Sequence, residues 1–307
     1  MTALRFLFIG LLLPVARSEW AAARQPADTS DTRMIRVGRH LMRVQSIGLE
    51  RRPDGAPVVV FEAGAANALE VWRNVVPQVA AFAPVVAYDR AGLGRSEWDG
   101  ETPTPQHVTT RLRLLLQAIG ARPPYILVGY SWGGVLARYF AGYHPEDVAG
   151  IVLVDPGPIV TQTLAEQLAP FDSVGAGRNG YEAFWSGFAA FFQQSSPGIR
   201  AEFNVFRNLM VREPSDRDLW PLPPVPIVVL VAGKYLPLPQ LQLPYDPRVH
   251  FEVDLRHRVR LLQQWALASP GGTVVVTNHS THAIPREDPG LIVWAVQRVL
   301  AAAGAPR

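Results

Sequence analysis

The sequence predicts an α/β protein with a mostly parallel central sheet and helices on both of its faces. Short, fully apolar runs such as Val58–Phe61, Tyr125–Val128 and Ile227–Ala232 are typical of strands buried on both sides. Between these runs lie segments whose apolar residues recur at helical spacing, such as Val108, Leu112, Leu115, Leu116 and Ile119. Strands that alternate with helices in this way form parallel sheets, because each crossover helix returns the chain to the same edge.

The other elements follow from local patterns in chain order. They are a hairpin over 34–48 with Gly38 near its turn, a helix over Val71–Phe82, a strand at Val85–Tyr88, a strand at Ile151–Val154, a helix carrying Leu255 to Ala266, a strand at Thr273–Thr277 and a last helix after Pro289. The sequence thereby predicts four parts, which are a signal peptide (1–23), a first core part (33–156), a helical lid (157–223) and a second core part (224–307).

The predicted lid is the segment where the strand and helix rhythm breaks. It lacks a strong strand signal and ends at the Pro-rich stretch Pro221–Pro224. It is rich in aromatic side chains, namely Phe171, Tyr181, Phe184, Trp185, Phe188, Phe191, Phe192, Phe203 and Phe206. These side chains either line an apolar pocket for an acyl or aryl group or form the core of the lid itself, and the sequence leaves both open.

Composition excludes several classes of function. The chain has 307 residues, a 48% hydrophobic fraction and a net charge of only +3, without any basic block, so binding to nucleic acid is not expected. It has no cysteine, which excludes disulfides, thiolate catalysis and Cys-based metal sites. Its seven histidines show no metal-ligand spacing, so neither a metal nor another cofactor is expected.

The N-terminus has the pattern of a secretory signal peptide. Arg5 precedes the apolar segment Phe6–Ala16, and Ala21–Ala23 offers a cleavage site. The apolar segment is too short to span a bilayer, and without cysteine there is no lipoprotein anchor. The sequence therefore predicts export to the periplasm or outside the cell. The alternative is an uncleaved N-terminal extension on a cytoplasmic protein.

The segment Tyr125–Gly134 combines a strand, a sharp turn and the start of a helix. Its G-Y-S-W-G sequence places Ser131 between two glycines, where the turn leaves no room for flanking side chains. Such a turn exposes the serine hydroxyl at the end of the sheet, near the positive end of the following helix. Because free serine is a weak nucleophile, Ser131 requires a nearby base.

Four motifs resemble those of the α/β-hydrolase superfamily, in the same order along the chain. They are E-A-G-A-A at 62–66, Y-D-R-A-G-L-G-R-S at 88–96, G-Y-S-W-G-G at 129–134 and S-T-H-A-I-P-R-E-D-P at 280–289. The resemblance covers nearly the whole chain after the N-terminal segment. It implies the α/β-hydrolase fold and an acyl-transfer reaction.

The resemblance also implies roles for individual residues. Ser131 is the expected nucleophile and His282 the expected base, with His279 as the rival base. Asp155 is the expected acid, because it ends the strand after the serine turn. Asp246, in the Pro-rich loop, is the alternative acid.

An oxyanion hole requires two backbone N–H donors aimed at the place where charge develops. The resemblance implies that one donor is the N–H of Trp132 and the other that of Ala65, in the loop after the first central strand. Asp89, Arg90 and Ser96 match a family motif as well, and we interpret them as loop scaffolding.

Hydrolysis of a carboxylic ester of a small to medium apolar molecule, through an acyl-enzyme, is the function that the resemblance favours. A serine nucleophile excludes the epoxide hydrolases and haloalkane dehalogenases of this fold, which use aspartate. Two alternatives stay open, a proline-type aminopeptidase or amidase and a non-catalytic ligand-binding protein. An aminopeptidase would require an acid in the lid to bind the substrate amine, and the candidates are Glu166, Asp172 and Glu182. The oligomeric state is not indicated.

Overall fold

The computed structural model describes residues 32–157, 160–172, 192, 194–216, 218, 221–237, 246–267, 269 and 271–304. Within these residues the strands form one eight-stranded sheet in the order β1-β2-β4-β3-β5-β6-β7-β8. The strands are β1 (Thr32–Val37), β2 (His40–Ile47), β3 (Val58–Glu62), β4 (Val85–Tyr88), β5 (Tyr125–Tyr130), β6 (Val148–Val154), β7 (Ile227–Ala232) and β8 (Thr273–Thr277).

The sheet is antiparallel only at one end. The β1–β2 hairpin is antiparallel and joins the sheet through an antiparallel pairing of β2 with β4. Every pairing from β4 to β8 is parallel. The predicted mostly parallel sheet is therefore confirmed, and the carboxyl ends of five neighbouring strands (β3, β5, β6, β7 and β8) lie along one edge.

Helices cover both faces of the sheet. The described helices are α1 (Val76–Ala80), α2 (Pro105–Ala118), α3 (Trp132–Tyr143), α4 (Leu164–Asp172), α5 (Pro197–Val211), α6 (Pro247–Leu267), α7 (Ile284–Glu287) and α8 (Pro289–Ala303). One apolar cluster joins α2, α3 and α6 to the sheet, and a second joins α1 and α8 to the opposite face. The central strands β3, β5 and β7 are buried at every position, and because both of their faces are buried their residues are apolar except for Glu62 at the end of β3.

One helix prediction was wrong in detail. The helix predicted over Val71–Phe82 is a 3₁₀ turn at Leu69–Trp72 followed by the short α1, which starts at Val76 just before Pro77. Proline fits the first turn of a helix but not its interior, so it marks a start here. The helix expected after the Pro-rich loop begins at Pro247, the residue at which that loop was predicted to end.

The described part of the predicted lid contains α4 and α5. Residues 173–191, which hold Tyr181, Glu182, Phe184, Trp185, Phe188 and Phe191, lie outside the described residues. Phe192 and Phe203 stack on each other with ring centroids 4.6 Å apart, so at least this pair belongs to an apolar core. No helix among the described residues has the length and apolar character needed to cross a bilayer.

Candidate active site

The predicted site residues follow neighbouring strands at the carboxyl edge of the sheet. Ser131 follows β5, Asp155 follows β6, Ala65 lies in the loop after β3, and His282 lies in the loop after β8. In open α/β sheets this edge is where ligands bind. The fold therefore brings residues that are distant in sequence to one place.

Ser131 occupies a sharp turn between β5 and α3. Its backbone has φ 52° and ψ −119°, a conformation that side chains rarely adopt. The N–H of Ser131 donates to Val154 O at 2.9 Å, and its carbonyl accepts the N–H of Gly134 at 2.9 Å and of Gly157 at 3.2 Å. These bonds hold the strained turn against the end of β6, next to Asp155.

The glycines of the turn are required by close backbone contacts. A Cβ on Gly129 would collide with the carbonyl oxygen of Gly133, and a Cβ on Gly133 would collide with that of Glu62. A Cβ on Gly134 would lie 2.7 Å from the Pro156 side chain. The G-x-S-x-G pattern thus reflects a turn packed directly onto β3 and β6.

His282 and Asp155 form a direct hydrogen bond. The Nδ1 atom of His282 lies 2.6 Å from Oδ2 of Asp155, and the His282 side chain is 30% exposed while that of Asp155 is 4% exposed. The His282 ring also packs against Tyr130, the residue before Ser131, with centroids 5.0 Å apart. If Nδ1 carries the proton donated to Asp155, Nε2 has the free lone pair of a base.

Asp155 is held ionised by its surroundings. Burial raises the pKa of its carboxyl, but the Arg258 guanidinium, the hydrogen bond from His282 and the backbone N–H of Ala232 outweigh burial and hold that pKa far below its ordinary value. Arg258 Nη1 donates to Asp155 Oδ1 at 2.7 Å, and the Ala232 N–H donates to the same oxygen at 2.9 Å. The carboxylate thus keeps its charge beside the imidazole.

The rival residues have other contacts. Asp246 is exposed, and its Oδ1 accepts the backbone N–H of Arg248 at 2.8 Å, at the start of α6. It therefore caps a helix. His279 is exposed at the end of β8 and donates its backbone N–H to Thr277 Oγ1 at 3.2 Å. The geometry favours Asp155 and His282 over both.

The two expected oxyanion donors lie on either side of the turn. Trp132 is the first residue of α3, where backbone N–H groups have no acceptor within the helix. In the loop after β3, the N–H of Ala66 donates to Glu202 and the N–H of Asn67 donates to Gly64 O. Neither bond uses the N–H of Ala65, a residue that packs beside the apolar cluster of Trp132, Val135 and Leu209.

The sequence interpretation missed two charged residues that touch this site, Arg258 on α6 and Glu202 on α5. Neither lies in a motif, and each contacts its partner across more than a hundred residues of chain. A signal for Glu202 was present: with Ile199 and Phe206 it falls on one face of α5, so a carboxylate lies on an apolar stripe. Buried charges of this kind are paired.

One cluster outside this site has metal-ligand types. His144, Glu146 and Asp147 place ligand atoms within 4.8 Å of one another. Asp147 also pairs with Arg113 at 3.3 Å, which places a cation where a metal would be. The cluster therefore has an alternative role as an ordinary ion pair beside the end of α3.

Comparison with known proteins identifies the family. The family model for the alpha/beta hydrolase fold matches residues 57–208. The structure of the epoxide hydrolase CorEH superposes with a TM-score of 0.57 at 18% identity, covering 88% of this chain and 98% of that one. The chain belongs to the α/β-hydrolase superfamily, as its four motifs indicated.

The sequence relatives match only segments of the chain. The protein YqjL of Bacillus subtilis, itself described as uncharacterized, is 32% identical over 106 residues, which are 34% of this chain and 42% of that protein. The pimeloyl-[acyl-carrier protein] methyl ester esterase of Edwardsiella ictaluri is 39% identical over 97 residues, which are 31% of this chain and 35% of that protein. The matched segments thus span less than half of either relative.

Proposed function

We propose that this protein is a serine hydrolase that cleaves a carboxylic ester of a small to medium apolar substrate through an acyl-enzyme. Ser131 is the nucleophile, His282 the general base, Asp155 the acid that orients the imidazole, and the N–H groups of Ala65 and Trp132 bind the oxyanion. The observation that carries the proposal is the His282–Asp155 hydrogen bond of 2.6 Å beside the strained turn of Ser131.

Each step uses a group that the site provides. Nε2 of His282 takes the proton of the Ser131 hydroxyl as Oγ attacks the ester carbonyl, and the resulting imidazolium is stabilised by the Asp155 carboxylate. The negative charge on the tetrahedral oxygen is met by the two backbone N–H donors. His282 then gives its proton to the leaving alkoxide, and the acyl group stays bound to Ser131 Oγ. In the second half of the reaction His282 deprotonates a water molecule that attacks this acyl ester. The proton passes from His282 to Ser131 Oγ as the carboxylic acid is released.

A serine at the turn separates this chain from the epoxide hydrolase to which its structure is similar. Epoxide hydrolases of this fold are expected to use an aspartate as the nucleophile, because they form an alkyl–enzyme ester. This chain has Ser131 at that position, between Tyr130 and Trp132. The esterase relative from Edwardsiella ictaluri supports ester cleavage, although it matches only 97 residues.

The first experiment measures hydrolysis of p-nitrophenyl esters of graded acyl length beside proline arylamides. We expect turnover of the esters and labelling of the protein by a fluorophosphonate probe, both lost in Ser131→Ala. Asn204→Ala, at an exposed position on α5, is the control that keeps both. A wild type that is not labelled, or a Ser131→Ala variant labelled as well as wild type, would restore the ligand-binding alternative.

Two hydrogen bonds between Glu166 and Thr163 weaken the case for an aminopeptidase. An amine-binding acid in the lid must be available, but Glu166 accepts the N–H of Thr163 at 2.8 Å while its own N–H donates to Thr163 Oγ1 at 3.1 Å. This is a capping box at the start of α4. Asp172 is exposed at the end of α4, and Glu182 lies outside the described residues. Faster cleavage of proline arylamides than of any ester would favour the aminopeptidase.

The predictions about the lid and location complete the proposal. Segment 157–223 acts as a lid over the site and contributes apolar surface to a small-molecule pocket, with no nucleic acid, metal or membrane anchor involved. The N-terminal 23 residues direct export and are removed. Sequencing the N-terminus of protein isolated from cells tests the export proposal, and an intact Met1 on cytoplasmic protein would contradict it.

A further inference from the structure

We propose that Arg90 and Glu202 are positioning residues that orient the backbone N–H of Ala65, the oxyanion donor in the loop after β3. The inference rests on the proposed function, because it explains how that donor is aimed. It assigns to α5 a carboxylate on which the oxyanion hole depends. It also replaces the interpretation of Arg90 as plain loop scaffolding.

Arg90 uses all five of its N–H donors in this contact. Its Nη1 donates to Glu62 Oε1 and to Ala63 O, both at 2.7 Å. Its Nη2 donates to Gly64 O at 2.7 Å and to Glu202 Oε1 at 2.9 Å, and its Nε donates to Glu202 Oε2 at 2.6 Å. A guanidinium has no further donors, so its position is fully determined by these partners.

Peptide planarity transmits this geometry to the oxyanion donor. The carbonyl of Gly64 and the N–H of Ala65 belong to the same trans peptide, so they point in opposite directions. Because Arg90 binds the Gly64 carbonyl, the Ala65 N–H must point away from the guanidinium. The charged group thus sets the direction of a donor that it does not touch.

Glu202 fixes the next peptide of the same loop. Its Oε1 accepts the N–H of Ala66 at 2.7 Å, where Ala66 has the unusual φ of 58°. The carbonyl of Ala65 shares that peptide and is therefore oriented too. Arg90 and Glu202 together fix three consecutive peptides, from the carbonyl of Ala63 to the N–H of Ala66.

The backbone of helix α5 lies directly against the loop that carries Arg90. A Cβ on Gly198, in the first turn of α5, would lie 2.6 Å from the carbonyl oxygen of Gly92, in the loop that carries Arg90. A Cβ on Gly92 would lie 2.8 Å from the Cα of Gly198. The two glycines let the helix approach closely enough for Glu202, one turn further on, to reach the guanidinium.

Stability alone does not account for this cluster. Glu62, Arg90 and Glu202 are all buried, and Tyr88 donates its hydroxyl to Glu62 Oε2. Burial raises the pKa of the Glu62 carboxyl above its ordinary value despite the neighbouring guanidinium. Buried ion pairs are often no more stable than apolar side chains of the same volume, so a role in fixing a particular geometry is the better explanation.

The test compares Glu202→Ala and Gly198→Ala with wild type on p-nitrophenyl butyrate. We expect Glu202→Ala to lower kcat by about 10- to 100-fold, since a misplacement of about 1 Å can cost about 100-fold and loss of a whole oxyanion donor costs about 100- to 1,000-fold. KM should stay within about threefold, because the donor acts in the transition state. The fluorophosphonate labelling rate should fall in parallel with kcat.

Two variants separate positioning from simple loosening of α5. Met210→Ala weakens the packing of the same helix onto Phe192 and Phe203 without altering the carboxylate, and we expect it to lower the melting temperature but leave kcat within about threefold. Glu202→Gln keeps an oxygen that can accept the Ala66 N–H and should give an intermediate kcat. Gly198→Ala displaces α5 while Glu202 is still present, and it should lower kcat as Glu202→Ala does.

The outcomes are distinguishable. If wild type hydrolyses esters at Ser131 while folded Glu202→Ala keeps kcat within twofold, or changes only KM, the positioning role is wrong and the proposed function stands. The role is also wrong if Met210→Ala lowers kcat as much as Glu202→Ala. If Glu202→Ala does not fold, Glu202→Gln and Gly198→Ala decide. A wild type that neither hydrolyses esters nor labels at Ser131 overturns the proposed function itself.

Discussion

Arg258 donates from Nη1 to Oδ1 of Asp155 at 2.7 Å, on the carboxylate oxygen that His282 does not use. The Asp155 carboxylate is thus shared between an imidazole and a permanent cation. Arg258 is itself held by Asp254, one turn earlier on α6, at 2.8 Å. A helix far along the chain from the serine therefore sets the charge balance of the site.

The identity of the acid is tested by replacing each candidate with asparagine. We expect Asp155→Asn to lower kcat by about 10,000-fold, the loss that the equivalent change causes in a serine protease, because the amide cannot stabilise the imidazolium. Asp246→Asn is the matched control: it alters only a helix cap and should change stability by less than about 1 kcal/mol with kcat unchanged. Steady-state kinetics on one p-nitrophenyl ester decides, and a fully active Asp155→Asn would refute the assignment.

Removing the shared cation should move the pH profile of activity. In Arg258→Gln the Asp155 carboxylate acts on His282 alone, so the imidazole holds its proton more tightly. We expect the acidic limb of the kcat/KM profile to move to higher pH. The matched control is Arg256→Gln, whose side chain on the same helix is 66% exposed, and its profile should match wild type. A movement to lower pH in Arg258→Gln would contradict the argument.

The lowered pKa of Asp155 also predicts how stability depends on pH. A carboxyl whose pKa is lower in the folded state adds stability that is complete above its unfolded pKa of about 3.9 and is lost as pH falls through the folded value. Asp155→Asn should therefore destabilise the protein by roughly 3 kcal/mol, the lower end for one partner of a buried pair, because Arg258 keeps Asp254.

That difference should not fall between pH 8 and 5, because a protonated His282 in this range only adds to the stabilisation by the Asp155 carboxylate, and it should shrink only below about pH 4. Urea unfolding of wild type and Asp155→Asn across this range measures it directly. A difference that shrinks steadily from pH 8 to pH 5 would show that Asp155 is not held ionised in the folded protein.

Most of the sheet could be predicted from the sequence because buried parallel strands are continuous apolar runs. Val58–Phe61, Val85–Tyr88 and Ile227–Ala232 are each found as strands within one residue of their predicted bounds. The prediction failed where proline ends one conformation and begins another, as at Pro77. A run of apolar residues does not distinguish a 3₁₀ turn and a short helix from one longer helix.

The site residues that lie in a local motif could be predicted from the sequence. Those that contact the site from a helix distant in sequence could not. Ser131 and Ala65 lie in short patterns whose small residues reflect close backbone contacts. Arg258 and Glu202 lie in helices, where a lone charge has the same sequence appearance whether it faces solvent or a buried partner. Only the packing of α6 onto the sheet, and of α5 onto α3 and the loops after β3 and β4, reveals their partners.

The serine turn gives the sharpest test of that local geometry. Gly133→Ala places a Cβ against the carbonyl oxygens of Glu62 and Ala63, which end a central strand and cannot move aside. We expect a loss of about 3 kcal/mol or more in the free energy of unfolding, together with loss of ester hydrolysis, because the strain falls between Ser131 and the oxyanion loop.

Gly290→Ala in α8 is the control, since its Cβ meets no atom within 4 Å. This change should be neutral or should stabilise the protein by up to about 1 kcal/mol. Equal urea midpoints for the two variants would mean that Gly133 is not pressed against β3, and that the turn holding Ser131 is looser than these contacts require.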